Sequence, residues 1–124
     1  MRIGLPWLAL LLVLAFAAGR TQTLGALDPI KVAPHIYEVA FENERVRVLK
    51  QTIRPGEWPP VHEHPDRVTI YLNPCAWMVD EPGGERRMES FKFGTPVWSP
   101  AESHGGLTAN VVQECRVIVV ELKD

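Results

Sequence analysis

This chain lacks the features that usually point to a nucleic-acid or membrane-surface partner. Its 13 Lys and Arg residues are scattered among 15 Asp and Glu, for a formal net charge of −2. No basic stripe gathers them, so nucleic acid and anionic lipid are excluded as expected partners. No glycine-rich loop opens a helix, so no phosphate cradle is encoded. Ser99 and Ser103 flank Pro100, but no base and orienting acid stand beside them, so no nucleophile constellation is visible. Beyond residue 18 no stretch repeats its apolar residues every 3.6 positions, which excludes a helical domain.

Long hydrophobic runs are also missing, with one exception near the start. The run 6–18 is shorter than the ~20 residues a spanning helix needs. Arg2, the apolar stretch 8–16 and the Ala15-Phe16-Ala17 pattern read instead as an export signal over residues 1–17, removed on secretion. No cysteine follows it closely, so no lipid anchor is indicated. The mature protein is expected to be periplasmic or secreted, with no membrane association after cleavage and a net charge near −3 once Arg2 is lost. Residues 18–34 read as a polar leader, partly disordered. Cys75 and Cys115 are the only two thiols. In an oxidising compartment a disulfide is the first reading, and a pair of buried inert thiols is the other.

What is present is β structure. Residues 45–53 alternate apolar and polar side chains, as a half-buried strand does. Short runs rich in β-branched and aromatic residues cover 35–40, 68–72, 75–79, 85–91, 95–98, 103–112 and 115–122. Pro55-Gly56, Asn73-Pro74 and Pro82-Gly83-Gly84 are among the turns that separate them. Eight or nine short strands at this spacing predict a single all-β domain over residues 35–124.

Within it, Trp58-Pro59-Pro60-Val61-His62-Glu63-His64-Pro65 stands out. Prolines at this density exclude a helix interior. In an extended segment side chains at i and i+2 share a face, so His62 and His64 point together and Glu63 points away. Two converging imidazoles are half of a metal site.

Gly56 followed after five residues by His62, Glu63 and His64 resembles the opening of the first cupin motif. Gly94, then Pro100 and His104, resembles the second, with Glu102 where the family usually has Gly and the His one residue early. The resemblance covers nearly all of residues 35–124 and implies a cupin-type jelly roll, a β-sandwich closed into a barrel. It implies that His62, His64 and His104 face inward as metal ligands. The family's glutamate has no counterpart: its expected place is Val68 or Thr69. Three imidazoles without a carboxylate suit Zn²⁺, Cu²⁺ or Ni²⁺ and disfavour Fe²⁺ or Mn²⁺. Trp58, Val68, Ile70 and Trp98 are expected in the pocket wall, with Val68 making it drier and more apolar. His35 lies outside both motifs and reads as a surface residue. In a jelly roll of this type the turns holding Cys75 and Cys115 lie at the same end, so a Cys75–Cys115 bridge is geometrically reasonable. The resemblance further implies a homodimer. It implies either an exported binding module for a metal or small molecule, or a metal-dependent enzyme of dioxygenase or isomerase type.

Overall fold

In the computed structural model, residues 25–106 and 109–124 are described. The proposed signal segment and residues 18–24 of the leader fall outside them. Ten strands follow a single four-residue helical turn: α1 (Pro29–Val32), β1 (Tyr37–Glu42), β2 (Val46–Ile53), β3 (His62–His64), β4 (Arg67–Tyr71), β5 (Cys75–Asp80), β6 (Arg86–Phe91), β7 (Pro96–Ser99), β8 (Glu102–His104), β9 (Ala109–Val111) and β10 (Cys115–Leu122). Among the described residues no helix is long and apolar enough to cross a membrane.

The strands form a five-stranded sheet in the order β1-β2-β10-β4-β7, a three-stranded sheet β6-β5-β9 and the pair β3-β8. Pairing is antiparallel throughout. Residues 103–112, expected as one strand, are two. Gly105 and Gly106, both with positive φ, end β8 and redirect the chain before β9, and side chains other than glycine rarely adopt that conformation.

Because successive side chains in a strand alternate in direction, register decides what faces the interior. On β10 the inward set is Cys115, Val117, Val119 and Glu121, all buried. Glu121 lies opposite Arg47 of β2 on one side and Arg67 of β4 on the other. The interior of the large sheet therefore carries a charged row as well as an apolar one.

The same parity corrects the expected pocket wall. On β4, Arg67, Thr69 and Tyr71 face the interior, so Val68 and Ile70 lie on the outer face. Trp98 pairs with Val68 and Pro96 with Ile70, and Trp98 is 57% exposed. Phe41, Val48, Val120, Val68 and Trp98 are successive register partners across all five strands. The apolar residues of these strands are thus partly on the outside, because Arg67 is held inward by Glu102 and Tyr71 by its stack on Phe91.

The last residues of the 18–34 segment pack against the domain. Asp28 caps α1 by accepting from the Ile30 amide, Pro29 takes the first helical position, and both are buried with Ala33. A proline there gives up an amide that has no helical partner anyway. The Leu27 carbonyl accepts from the Glu63 amide, tying this segment to the back of β3.

Candidate metal centre and ligand cavity

His62 and His64 reach the interior because β3 is extended between prolines. They are 0% and 5% exposed, while Glu63 faces out. His104 lies opposite His62 in the β3-β8 pair. The three rings have centroids 4.5, 4.8 and 5.2 Å apart. One nitrogen from each lies within 4.8 Å of the others. Ligand nitrogens on a tetrahedral zinc are about 3.4 Å apart, given Zn–N bonds of about 2.0–2.1 Å. A small inward turn of the rings closes the difference.

The outer hydrogen bonds fit a metal as well. His62 donates from Nδ1 to the Pro60 carbonyl at 2.6 Å. His64 donates from Nδ1 to Glu121 Oε1, also at 2.6 Å. His104 Nδ1 is 3.6 Å from Glu102 Oε1. His62 and His64 thus each turn Nδ1 toward an oxygen, which leaves Nε2 as their lone pair, while His104 Nδ1 lies beyond hydrogen-bond distance of Glu102. Support of this kind fixes tautomer and ring direction for metal ligation.

Sequence reasoning placed the missing carboxylate at Val68 or Thr69 and found none. Glu121 supplies the negative charge instead, one bond further out. It is 0% exposed and accepts from both His64 and Arg47 Nε, the latter at 2.6 Å. Arg47 in turn meets Asp28 at 2.8 Å, and Arg67 meets Glu102 at 2.6 Å. Three carboxylates against two guanidiniums leave one surplus negative charge beside the imidazoles, which favours a cation there. Asp66 does not reach in; its carboxylate accepts from the Ala101 amide.

Protonation follows from these surroundings. Burial holds the Glu121 carboxyl up, but hydrogen bonds from His64 and Arg47 outweigh it and keep it below its ordinary value. The His62 imidazolium is disfavoured by burial first, then by His64 and Arg67, so its pKa is lowered. His104 is pushed down to about 3 by burial, His62, His64 and Arg67. Its side chain keeps 42% of its surface in solvent, so the crowding of cationic neighbours matters alongside burial. As pH falls from 6.5 toward 3, the unfolded chain takes up protons that folded His62 and His104 refuse, so stability must fall through that window. Glu121 acts in the same sense lower down, its contribution vanishing as pH drops through its depressed value. Urea midpoints of the metal-free protein are expected to decline steadily from pH 7 through 5 to 3.5; a midpoint equal at pH 7 and 5 would contradict this.

The strands also meet closely here. A Cβ on Gly105, whose φ is +88°, would fall 2.8 Å from the Pro59 carbonyl oxygen and 3.0 Å from His62 Nδ1, and closer still to the Pro60 carbonyl that His62 needs. Gly105→Ala is therefore expected to push β8 from β3 and weaken zinc binding roughly 10–100-fold, as lost support around metal ligands does. Competition against a chromophoric chelator reads this out, and unchanged affinity would contradict it.

Below the imidazoles lies a cavity of about 330 Å³. Tyr37, Gln51, Thr69 and Arg67 line it near the histidines, and Trp58, Trp77, Tyr71 and Phe91 line another part. Of the four residues expected in the wall, Trp58 lines it and Val68, Ile70 and Trp98 do not. Tyr37, missed by sequence reasoning, donates its hydroxyl to His62 Nε2 at 3.0 Å and accepts from Gln51 Nε2 at 3.1 Å. The Cys75 and Cys115 sulfurs are bonded to each other, with Cα atoms 5.2 Å apart, and Cys115 also lines the cavity. His35 is exposed.

No protein-family model matches the sequence, and no curated protein is significantly similar to it. Solved structures do match. A cupin domain from Bordetella pertussis tohama i aligns over 72% of this chain and 93% of its own, at 24% identity and a TM-score of 0.54. The chain has the cupin fold. A cupin superfamily protein from Desulfitobacterium hafniense DCB-2 covers 72% and 77% at 14% identity and a TM-score of 0.51. The polyketide cyclase RemF from Streptomyces resistomycificus covers 71% and 64% at 22% identity and a TM-score of 0.50. At these identities the likeness establishes the cupin barrel, and chemistry must come from this chain's own residues.

Proposed function

We propose that this protein binds one divalent metal through His62, His64 and His104 and holds a small molecule in the adjoining cavity. The observation that carries this reading is the convergence of three imidazoles, His62 and His64 buried and His104 exposed, with the Nδ1 atoms of the buried pair already bonded to a carbonyl and a carboxylate. Three neutral nitrogen donors favour Zn²⁺, Cu²⁺ or Ni²⁺ over Fe²⁺ or Mn²⁺. A metal so held supplies Lewis-acid polarisation of a ligand oxygen or activation of bound water. The chain's own part is to fix the imidazoles, to keep His62 and His104 unprotonated, and to present Tyr37. With His62 Nε2 engaged by a metal, the Tyr37 hydroxyl would lose its acceptor there and could donate to a ligand instead.

Catalysis by this site is the second reading. It is favoured by the cavity opening beside the imidazoles. Export into an oxidising compartment is part of the proposal, supported by the bonded Cys75–Cys115 pair.

Metal analysis after equilibrium dialysis against zinc tests the reading. About one equivalent is expected in the protein and none in the His62→Ala/His64→Ala variant; no metal under replete conditions would sink it.

A further inference from the structure

The cavity has two chemically different parts, and one of them is not explained by metal binding. Trp58 comes from the loop before β3, Trp77 from β5, Phe91 from β6 and Tyr71 from β4. Trp58 and Trp77 have ring centroids 5.6 Å apart, Trp77 and Phe91 5.2 Å. Phe91 and Tyr71 are stacked at 4.4 Å with planes 6° apart. Four rings from four segments thus form one continuous aromatic wall around open space.

Close-packed interiors seldom leave voids larger than a water molecule, so a space of about 330 Å³ beside these rings is not ordinary core.

We infer that the ligand of this site is a flat aromatic compound of one or two rings carrying oxygen acceptors, seated against Trp58, Trp77, Tyr71 and Phe91. This rests on the reading of the cavity as a small-molecule site. The size follows from the space: a cavity at the small end of the ligand-site range takes about 10–15 non-hydrogen atoms. The ring plane has an aromatic surface to stack on. One oxygen edge turns toward the imidazoles and Tyr37.

The test compares two probes by calorimetry on the protein, with and without zinc. One is 1-hydroxy-2-naphthoate; the other is lactate, which keeps the hydroxy-carboxylate unit and has no ring. The naphthoate is expected to bind one to one and at least about 100-fold more tightly than lactate. Trp58→Ala removes one ring of the wall, and is expected to weaken the naphthoate about tenfold while leaving lactate unchanged. Near-UV circular dichroism checks that this variant folds, and the wild-type comparison of the two probes stands without it. Comparable affinities for the two probes, or full naphthoate affinity in folded Trp58→Ala, would overturn the inference while leaving zinc binding intact. Absence of zinc binding would show separately in the dialysis. Preference for the naphthoate by metal-free protein would then still support the aromatic site.

Discussion

Glu121→Ala is expected to lower the unfolding free energy by about 3–5 kcal/mol, the range for removing one partner of a buried ion pair. The size follows from what the carboxylate holds. One oxygen accepts from His64 and the other from Arg47, each at 2.6 Å, and none of the three side chains is more than 5% exposed. Arg47 keeps Asp28 at 2.8 Å, so its charge is not fully orphaned, while His64 Nδ1 loses its acceptor. Glu121→Gln keeps the volume and an acceptor for His64 but not the charge. It is expected to fold better than the alanine variant and still bind zinc more weakly than wild type. Chemical denaturation and a zinc titration of both variants check this. A loss below about 1 kcal/mol in Glu121→Ala would mean that the pair is not the buried anchor its geometry implies.

The second large effect concerns the covalent link between the sheets. Cys75 begins β5 in the three-stranded sheet and Cys115 begins β10 in the five-stranded one. Their separation of 40 residues gives a loop-closure contribution of about 4 kcal/mol in the chain-entropy model. The Cys75→Ala/Cys115→Ala variant is expected to lose an amount of that order in urea, and the reduced wild type a similar amount. Both cysteines are at most 1% exposed, so reduction should require partial unfolding. Equal stability of oxidised and reduced protein would contradict the assignment.

Most of the strand order could be read from the sequence, because prolines, glycines and alternation mark it locally. The direction of His62 and His64 could be read for the same reason, since parity within three extended residues leaves little freedom. The resemblance supplied His104. Register between strands was the part hidden. Arg67-Val68-Thr69-Ile70-Tyr71 reads as a strand with its valine and isoleucine inward, whereas long-range partners fix the opposite parity: Glu102 for Arg67 and Phe91 for Tyr71. A slip of one residue in that judgement exchanges the whole wall, which is why Val68 and Ile70 were expected where Thr69 and Tyr71 stand.

Glu121 was missed by a related route. It lies near the end of the most β-branched run, where a charged residue reads as solvated. Its signal was its parity with Cys115, Val117 and Val119, visible once those are known to be inward. The charge that a ligating glutamate would have brought to the metal is therefore present in the barrel, but it acts through the His64 ring.

The central claim is that the Nε2 atoms of His62, His64 and His104 share one metal ion. Anomalous diffraction at the zinc edge, on crystals grown with one equivalent of zinc, addresses it directly. The account predicts a single strong peak about 2.0–2.1 Å from those three nitrogens, with Glu121 still bonded to His64 Nδ1. A peak bound through Nδ1 or lying elsewhere on the chain, or no peak between the three rings, would contradict it.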